Sequence, residues 1–320
     1  MIVVTGGAGF IGSAVVWGLN RRGEKEILVV DHLGESEKWR NLVPLHFSDY
    51  LDRDVFIHRL ESDAFGRGIR ALIHLGACSS TTERDAGYLM ENNYRYTLRL
   101  ARWQERHPDC RFIYASSAAT YGDGSLGYRD DESALHGLRP LNMYGYSKHL
   151  FDLQAARLGW LDRIAGLKYF NVFGPNEDHK ADMRSVIHKA YPTVRDEGTI
   201  RLFESYRKEY GDGEQARDFI YVKDAVEMTL FFLENRRANG IFNIGTGEAR
   251  TWNDVARAMF QSLDREPRIE YVPMPEGLRE KYQYHTCADT TKLRAAGCAH
   301  VCTSLEEAVD EYIRGYLEQD

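Results

Sequence analysis

Glycines at positions 6, 9 and 12 stand between a short apolar run, Met1–Thr5, and a helical pattern over Phe10–Arg22. This arrangement leaves the chain little freedom. Gly6 permits a tight turn out of a strand, Gly9 lets backbone approach a pyrophosphate, and Gly12 lets helix and strand pack closely. Main-chain N–H groups and the helix dipole then offer an anion site. Glycine-rich turns are common, so the context carries the weight: a second strand-like run, Ile27–Asp31, ends on a carboxylate. Asp31 suits the hydroxyls of an adenosine ribose, which favours NAD. Lys38 and Arg53 follow downstream and offer charge to a 2′-phosphate, although each alone reads as a solvated surface cation. The residues leave NAD and NADP both open.

The same alternation continues along the chain. Ala71–Gly76 and Arg111–Ser116 read as buried strands, with helical spacing over Tyr88–Glu105 between them, including Leu89, Tyr96 and Leu100. Tyr144–Leu158 predicts a helix and Ile164–Phe170 a strand. Strands alternating with helices imply an α/β chain with a Rossmann-type doubly wound parallel sheet, its crevice at the carboxyl ends of the strands. After Asn171 the composition shifts to polar, turn-rich stretches, Gly174–Ala181 and Glu204–Gln215. A strand at Phe219–Val222, a helix at Lys223–Asn235 and a strand at Gly240–Ile244 follow. We expect a dinucleotide-binding domain over 1–170 and a smaller C-terminal α/β substrate region over 171–320, with strand and helix exchange back to the large domain.

Composition narrows the partners. A net charge of -7 argues against a general nucleic-acid or membrane-surface binder. No apolar stretch reaches spanning length and no signal-like segment opens the chain, so the cytoplasm is the expected compartment. The five cysteines are scattered without a C-x-x-C pair, which predicts neither a disulfide framework nor structural zinc. Cys298 and Cys302 read as half-buried thiols. The eleven histidines show no H-E-x-x-H pattern, and no metal is expected. His74 reads as a satisfied buried imidazole, Asp130, Asp131 and Glu132 as a solvated acidic turn, and Trp17 and Trp252 as packing residues.

The reactive groups lie further on. Tyr144 and Lys148 are four apart on a helical pattern and share a face. An ammonium beside a phenol favours the phenolate, lowering its pKa toward working pH, and such a pair can move a proton while a nicotinamide takes hydride. Ser116 and Ser117 end the strand upstream, where a hydroxyl can orient the substrate alcohol. Strand alternation places them on opposite faces, so one of the two is expected to serve.

Gly6 to Gly12, His74-Leu75-Gly76-Ala77, Ser116 to Gly122 and Tyr144/Lys148, in this order, resemble the extended short-chain dehydrogenases/reductases, which include sugar epimerases, dehydratases and reductases. Gly76-Ala77-Cys78-Ser79-Ser80-Thr81-Thr82-Glu83, Asn92-Asn93-Tyr94, Lys168 to Pro175, His179-Lys180, Arg217 to Val222 and Phe242 to Gly247 resemble the ADP-glycero-manno-heptose 6-epimerase branch. That resemblance implies bound NADP and inversion at carbon 6 of ADP-D-glycero-D-manno-heptose for lipopolysaccharide core assembly, and suggests a homo-oligomer, a pentamer. It implies cofactor contacts from Phe10, Ile11, Asp31, His32, Lys38, Arg53, Leu75, Gly76, Ala77, Cys78, Ser79, Asn92, Lys148 and Val172. It makes Tyr144 and Lys180 the acid/base residues and puts Ser116, Asn171 and Arg217 on the substrate, with Phe203, Glu204, Ser205, Tyr206 and Tyr282 near the ADP moiety. Two departures bear on substrate contacts: the stretch 203–217 is longer than the family pattern, and Asp182 stands where a small hydroxyl is expected. A UDP-sugar 4-epimerase or a nucleotide-sugar dehydratase is the alternative within the class, and a non-catalytic NADP-binding sensor the alternative outside it.

Overall fold

The computed structural model describes residues 1–279 and 282–319. The first half builds β1 (Ile2–Thr5), α1 (Phe10–Arg21), β2 (Ile27–Asp31), β3 (Asp49–Asp52), α2 (Arg53–Glu61) and β4 (Ala71–His74). Next come α3 (Ala86–Leu89), α4 (Tyr96–Arg106), β5 (Arg111–Ser117), α5 (Met143–Arg157) and β6 (Ala165–Tyr169). The second half adds β7 (Asn171–Phe173), α6 (Val186–Glu197), β8 (Ile200–Phe203), β9 (Ala216–Arg217), β10 (Phe219–Tyr221), α7 (Val222–Glu234) and β11 (Gly240–Ile244). It continues with β12 (Arg250–Thr251), α8 (Trp252–Ser262), β13 (Ile269–Val272), α9 (Glu276–Arg279), α10 (Thr291–Ala295) and α11 (Leu305–Tyr312).

Seven strands form one sheet in the order β11-β6-β5-β4-β1-β2-β3. Every pairing within it is parallel. Strand order reverses between β1 and β4, which opens the crevice of a doubly wound sheet above their carboxyl ends. Continuous apolar strands such as Ile2–Thr5 are buried at every position because helices cover both faces. One face packs Val15, Val16, Val226 and Leu230 of α1 and α7. The other packs Phe56, Leu100, Trp103 and Phe151 of α2, α4 and α5. Burying each such side chain contributes about 1.5–3 kcal/mol. Both β3, with its sequence Asp-Tyr-Leu-Asp, and α2 escaped sequence analysis, since a polar edge strand carries no apolar run.

The helix expected over Tyr88–Glu105 is interrupted. A π-helical turn, Met90–Arg95, separates α3 from α4. It rotates Asn93 inward, where its amide accepts from Cys78 N (2.9 Å) and donates to Cys78 O (2.9 Å) and Ser147 Oγ (3.0 Å). The acidic turn also departs from expectation. Only Asp131 is solvated, capping Ser133 N at 2.9 Å. Asp130 is buried and accepts from Asn243 N at 2.8 Å, while Glu132 accepts from Ile241 N at 2.8 Å and pairs with Lys292. The backbone of β11 needs those acceptors, so the two carboxylates pin the edge of the sheet. Cys298 is fully buried rather than half-buried, because it joins the core under α7 and α11.

Beyond the sheet, β10 pairs with β7 and β13 with β8 in parallel, and β12 pairs with β9 antiparallel. Asp218 ties this lobe together, accepting from Thr246 N (2.8 Å), Gly247 N (3.0 Å) and Ala288 N (3.0 Å). Among the described residues, no helix is long and apolar enough to cross a membrane.

Candidate functional site

The crevice begins at the glycine turn. Gly6 has φ +68°, and a Cβ there would meet Gly76 N at 2.6 Å. A Cβ at Gly12 would lie 1.9 Å from Gly6 O, so α1 can cross β1 at this distance only with glycine. No side chain caps α1, which leaves its first-turn N–H groups for an anion. This glycine turn, with Phe10, Ile11 and Val172, lines a cleft of about 510 Å³. The loop Leu75, Gly76, Ala77, Cys78 and Ser79 after β4 forms its opposite wall. An adjoining pocket of about 140 Å³ takes in His32, Arg53 and Asn92 and shares Asp31 and Lys38. Lys38 and Arg53 are therefore not the solvated surface cations that each suggests alone. Lys38 Nζ donates to Asp31 Oδ1 (2.6 Å) and His32 O (2.7 Å), and Arg53 bonds Asn92. The buried Arg53 Nε has no hydrogen-bond partner among the described residues, which suits a bound anion. The cradle fits an adenine dinucleotide.

Ser116, Ser117, Tyr144, Lys148 and Lys180 line the deep end of the same cleft. Burial raises the Tyr144 pKa, and the Ser117 hydroxyl draws it back only in part. The lowering expected from Lys148 is absent: Lys148 Nζ donates to Ala115 O at 2.8 Å instead. Burial also brings Lys148 down to about 8, against a smaller opposing pull from Asp152. Both serines reach the cleft, contrary to the one-face expectation, because β5 ends there. Their hydroxyls differ: Ser116 Oγ donates to Asp152 Oδ2 at 2.7 Å, whereas Ser117 Oγ accepts from Ala119 N at 3.1 Å and faces Tyr144. Lys180 comes from the turn Asp178–Met183, with Nζ 4.7 Å from the Phe10 ring centre and 4.0 Å from Glu177. Burial lowers its pKa, which Glu177 partly offsets. Ala181 beside it has φ 47°, a strained value that the surrounding structure must sustain. His179 is driven down to about 4 by burial and by Lys38 and Lys180, so it is neutral at pH 7.

A second groove of about 490 Å³ opens beyond this turn, between α6, β8 and α8. Phe203, Trp252 and Tyr282 line it, and Trp252 Nε1 donates to Tyr282 Oη at 2.9 Å. Trp252 is thus a groove residue as well as a packing one. Arg217 is buried behind this aromatic wall, its guanidinium 5.0 Å from the Tyr282 ring centre. Asn171, Asp182, Glu204 and Ser205 line neither cleft nor groove, and Asp182 is exposed. Tyr206 lies outside on the 203–217 loop, exposed and covered by Arg279 at 3.9 Å. Asp212 and Tyr284 fold that long stretch back, accepting from Ser205 N (2.7 Å) and Tyr206 N (3.0 Å).

Residues 2–245 match the NAD dependent epimerase/dehydratase family. The chain belongs to this family. A nicotinamide dinucleotide is accordingly its cofactor class. An ADP-L-glycero-D-manno-heptose-6-epimerase of Nitratidesulfovibrio vulgaris strain DP4 is 57% identical over 317 residues, covering 99% of this chain and 98% of the relative. The crystal structure of the Helicobacter pylori enzyme of that name superposes with TM-score 0.82 at 25% identity, covering 98% and 95% of the two chains. A UDP-N-acetylglucosamine 4-epimerase of Methanobrevibacter ruminantium superposes equally well, with TM-score 0.83 at 25% identity and coverage of 100% and 98%. At 25% identity each, these two structures do not separate the two activities; the relative at 57% identity favours the first.

Within this epimerase/dehydratase, some cleft residues were not assigned to the site from the sequence. Ser36, Ser80, Tyr169, Phe170 and Met183 also line the cleft, yet each belongs to a turn or strand whose outlook depends on the fold. The fold also gathers Asp224, His300 and Cys302 within 4.8 Å, a trio their spacing does not reveal. Asp224 already accepts from His300 Nε2 (2.8 Å) and Thr303 N (3.0 Å), so the trio stitches the segment before α11 to the start of α7. His74 sits as expected, buried between Thr5 Oγ1 (2.6 Å) and Thr97 Oγ1 (2.8 Å).

Proposed function

We propose that this enzyme inverts carbon 6 of ADP-D-glycero-D-manno-heptose to give the L-glycero isomer, through a transient ketone and with NADP as its dinucleotide. The observation that carries the reading is that Tyr144 on α5 and Lys180 on the 178–183 turn, from opposite halves of the chain, line one cleft with the glycine cradle. When bound, the dinucleotide supplies a hydride acceptor that returns the same hydride, and its cationic ring adds positive charge to the cleft. That charge offsets the burial that raises Tyr144. Inversion requires the carbonyl to present both faces to one fixed donor, so the sugar turns in place and its proton is handled from two sides. Tyr144 takes and returns the proton in one orientation, Lys180 in the other. Burial favours neutral Lys180, the form able to accept a proton. The aromatic groove of Phe203, Trp252 and Tyr282, reached past Met183 and Val186, suits the adenine base.

For the cofactor, Lys38 on Asp31 and Arg53 in the same pocket support NADP, since Lys38 neutralises the carboxylate that would repel a 2′-phosphate. The released dinucleotide, identified by mass, should carry that phosphate. The protein incubated with ADP-D-glycero-D-manno-heptose should yield the L-glycero epimer by NMR. In single-turnover oxidation of each epimer, followed by reduction of the bound dinucleotide, Tyr144→Phe should fail with one epimer and Lys180→Met with the other. Full activity of the Lys180 variant both ways removes its role, and unchanged heptose beside turnover of a UDP-hexose moves the assignment to a 4-epimerase. The assembly is proposed as a homo-oligomer, to be read by light scattering.

A further inference from the structure

Beneath the reaction centre lies an ion pair that the proposed chemistry does not use. Asp152 stands one turn after Lys148 on α5 and is 0% exposed, while Lys168 on β6 is 1% exposed. Their charged atoms are 3.1 Å apart. Lys168 also bonds Thr120 and lies 4.7 Å from the Tyr121 ring centre. Isolating two charges this deeply is costly unless every remaining lone pair is met. Here they are met by hydroxyls of β5: Tyr114 Oη donates to Asp152 Oδ1 at 2.9 Å and Ser116 Oγ to Oδ2 at 2.7 Å. Tyr114 and Ser116 are two residues apart on the strand, so both face α5.

The consequence concerns the direction of one hydrogen bond. A serine hydroxyl has one proton and two lone pairs. With its proton committed to Asp152, Ser116 presents only lone pairs to the cleft it lines. An oxygen of that kind accepts from an alcohol and repels a carbonyl oxygen. We infer that Asp152, held by Lys168, is a positioning residue that fixes Ser116 as a hydrogen-bond acceptor and so makes the cleft select a sugar hydroxyl near the reacting carbon. This rests on the epimerase reading of the cleft and adds a specificity element to it.

Asp152→Asn tests the inference, because an amide can donate to Ser116 Oγ and turn its proton toward the cleft. Asp152→Asn/Lys168→Met removes the pair without leaving a buried charge, so folding failure of the single variant does not end the test. Affinity for ADP-heptose by calorimetry should weaken about tenfold, the worth of one good hydrogen bond. Ser116→Ala should weaken it similarly, and adding the Asp152 change to Ser116→Ala should cost little more. Deoxy analogues of the sugar, one hydroxyl at a time, provide the readout that a merely structural role would not move. One analogue should bind worse than the parent in the wild type and equally well in the Asp152 variants. Additive losses, or unchanged discrimination among analogues, would overturn the inference. Wild-type protein that ignores ADP-heptose sinks the functional reading instead, and the same cycle is then read with the sugar nucleotide it does convert.

Discussion

Lys148 follows Tyr144 by one helical turn, yet its ammonium is spent on the Ala115 carbonyl, and burial brings its pKa to about 8. The charged form therefore persists below that pH and is lost above it. Dinucleotide affinity, titrated from pH 6 upward on stripped protein, should hold to about pH 8 and then weaken as Lys148, which lines the dinucleotide cleft, loses its charge. Tyr144→Phe should lower kcat by about 10²- to 10⁴-fold, the usual worth of a positioned proton carrier, with bound dinucleotide retained. Lys38→Ala and Arg53→Ala should each weaken NADP by about ten- to a hundredfold and NAD far less, because a charge-assisted bond to phosphate is worth about 1.5–3 kcal/mol; equilibrium titration of stripped protein with each dinucleotide checks this.

The turn from β1 into α1 is the element on which the cradle depends. Gly12→Ala would put a methyl 1.9 Å from Gly6 O, a backbone atom that cannot step aside without moving the strand. Overpacking of this kind costs about 1–3 kcal/mol, and the variant should purify without dinucleotide and melt at a lower temperature. The π-helical turn at Met90–Arg95 plays the matching part on the opposite wall, since it lets Asn93 clamp Cys78 to Ser147, between Tyr144 and Lys148 of α5. Helical periodicity foretold a helix there and could not foretell its interruption, because the cause is a pair of partners distant in sequence. Element boundaries in the sheet were legible: Ile27–Asp31 and Gly240–Ile244 fall where apolar runs end. The polar edge strand β3 was not, having no buried face to leave a pattern.

At the scale of the whole molecule, Asp218 joins three stretches of the second half through bonds to Thr246, Gly247 and Ala288. Asp218→Ala would leave the buried Ala288 N–H unmet, at about 1–3 kcal/mol, and would release the part-buried N–H groups of Thr246 and Gly247, so the urea midpoint should fall. The cleft lining likewise comes from distant stretches: glycine turn, β5 end, α5 and the 178–183 turn meet above the β1–β4 divide. Sequence alone determined the parallel α/β order, the dinucleotide turn and the Tyr144/Lys148 pair, because apolar period, glycine need and helical spacing act over a few residues. Only the tertiary structure decided that Lys38 and Arg53 enter a pocket, that Tyr144 is raised rather than lowered, and that Ser116 points its proton at Asp152. Desolvation and the choice of hydrogen-bond partner depend on what the fold brings alongside a side chain, and no local spacing carries that information.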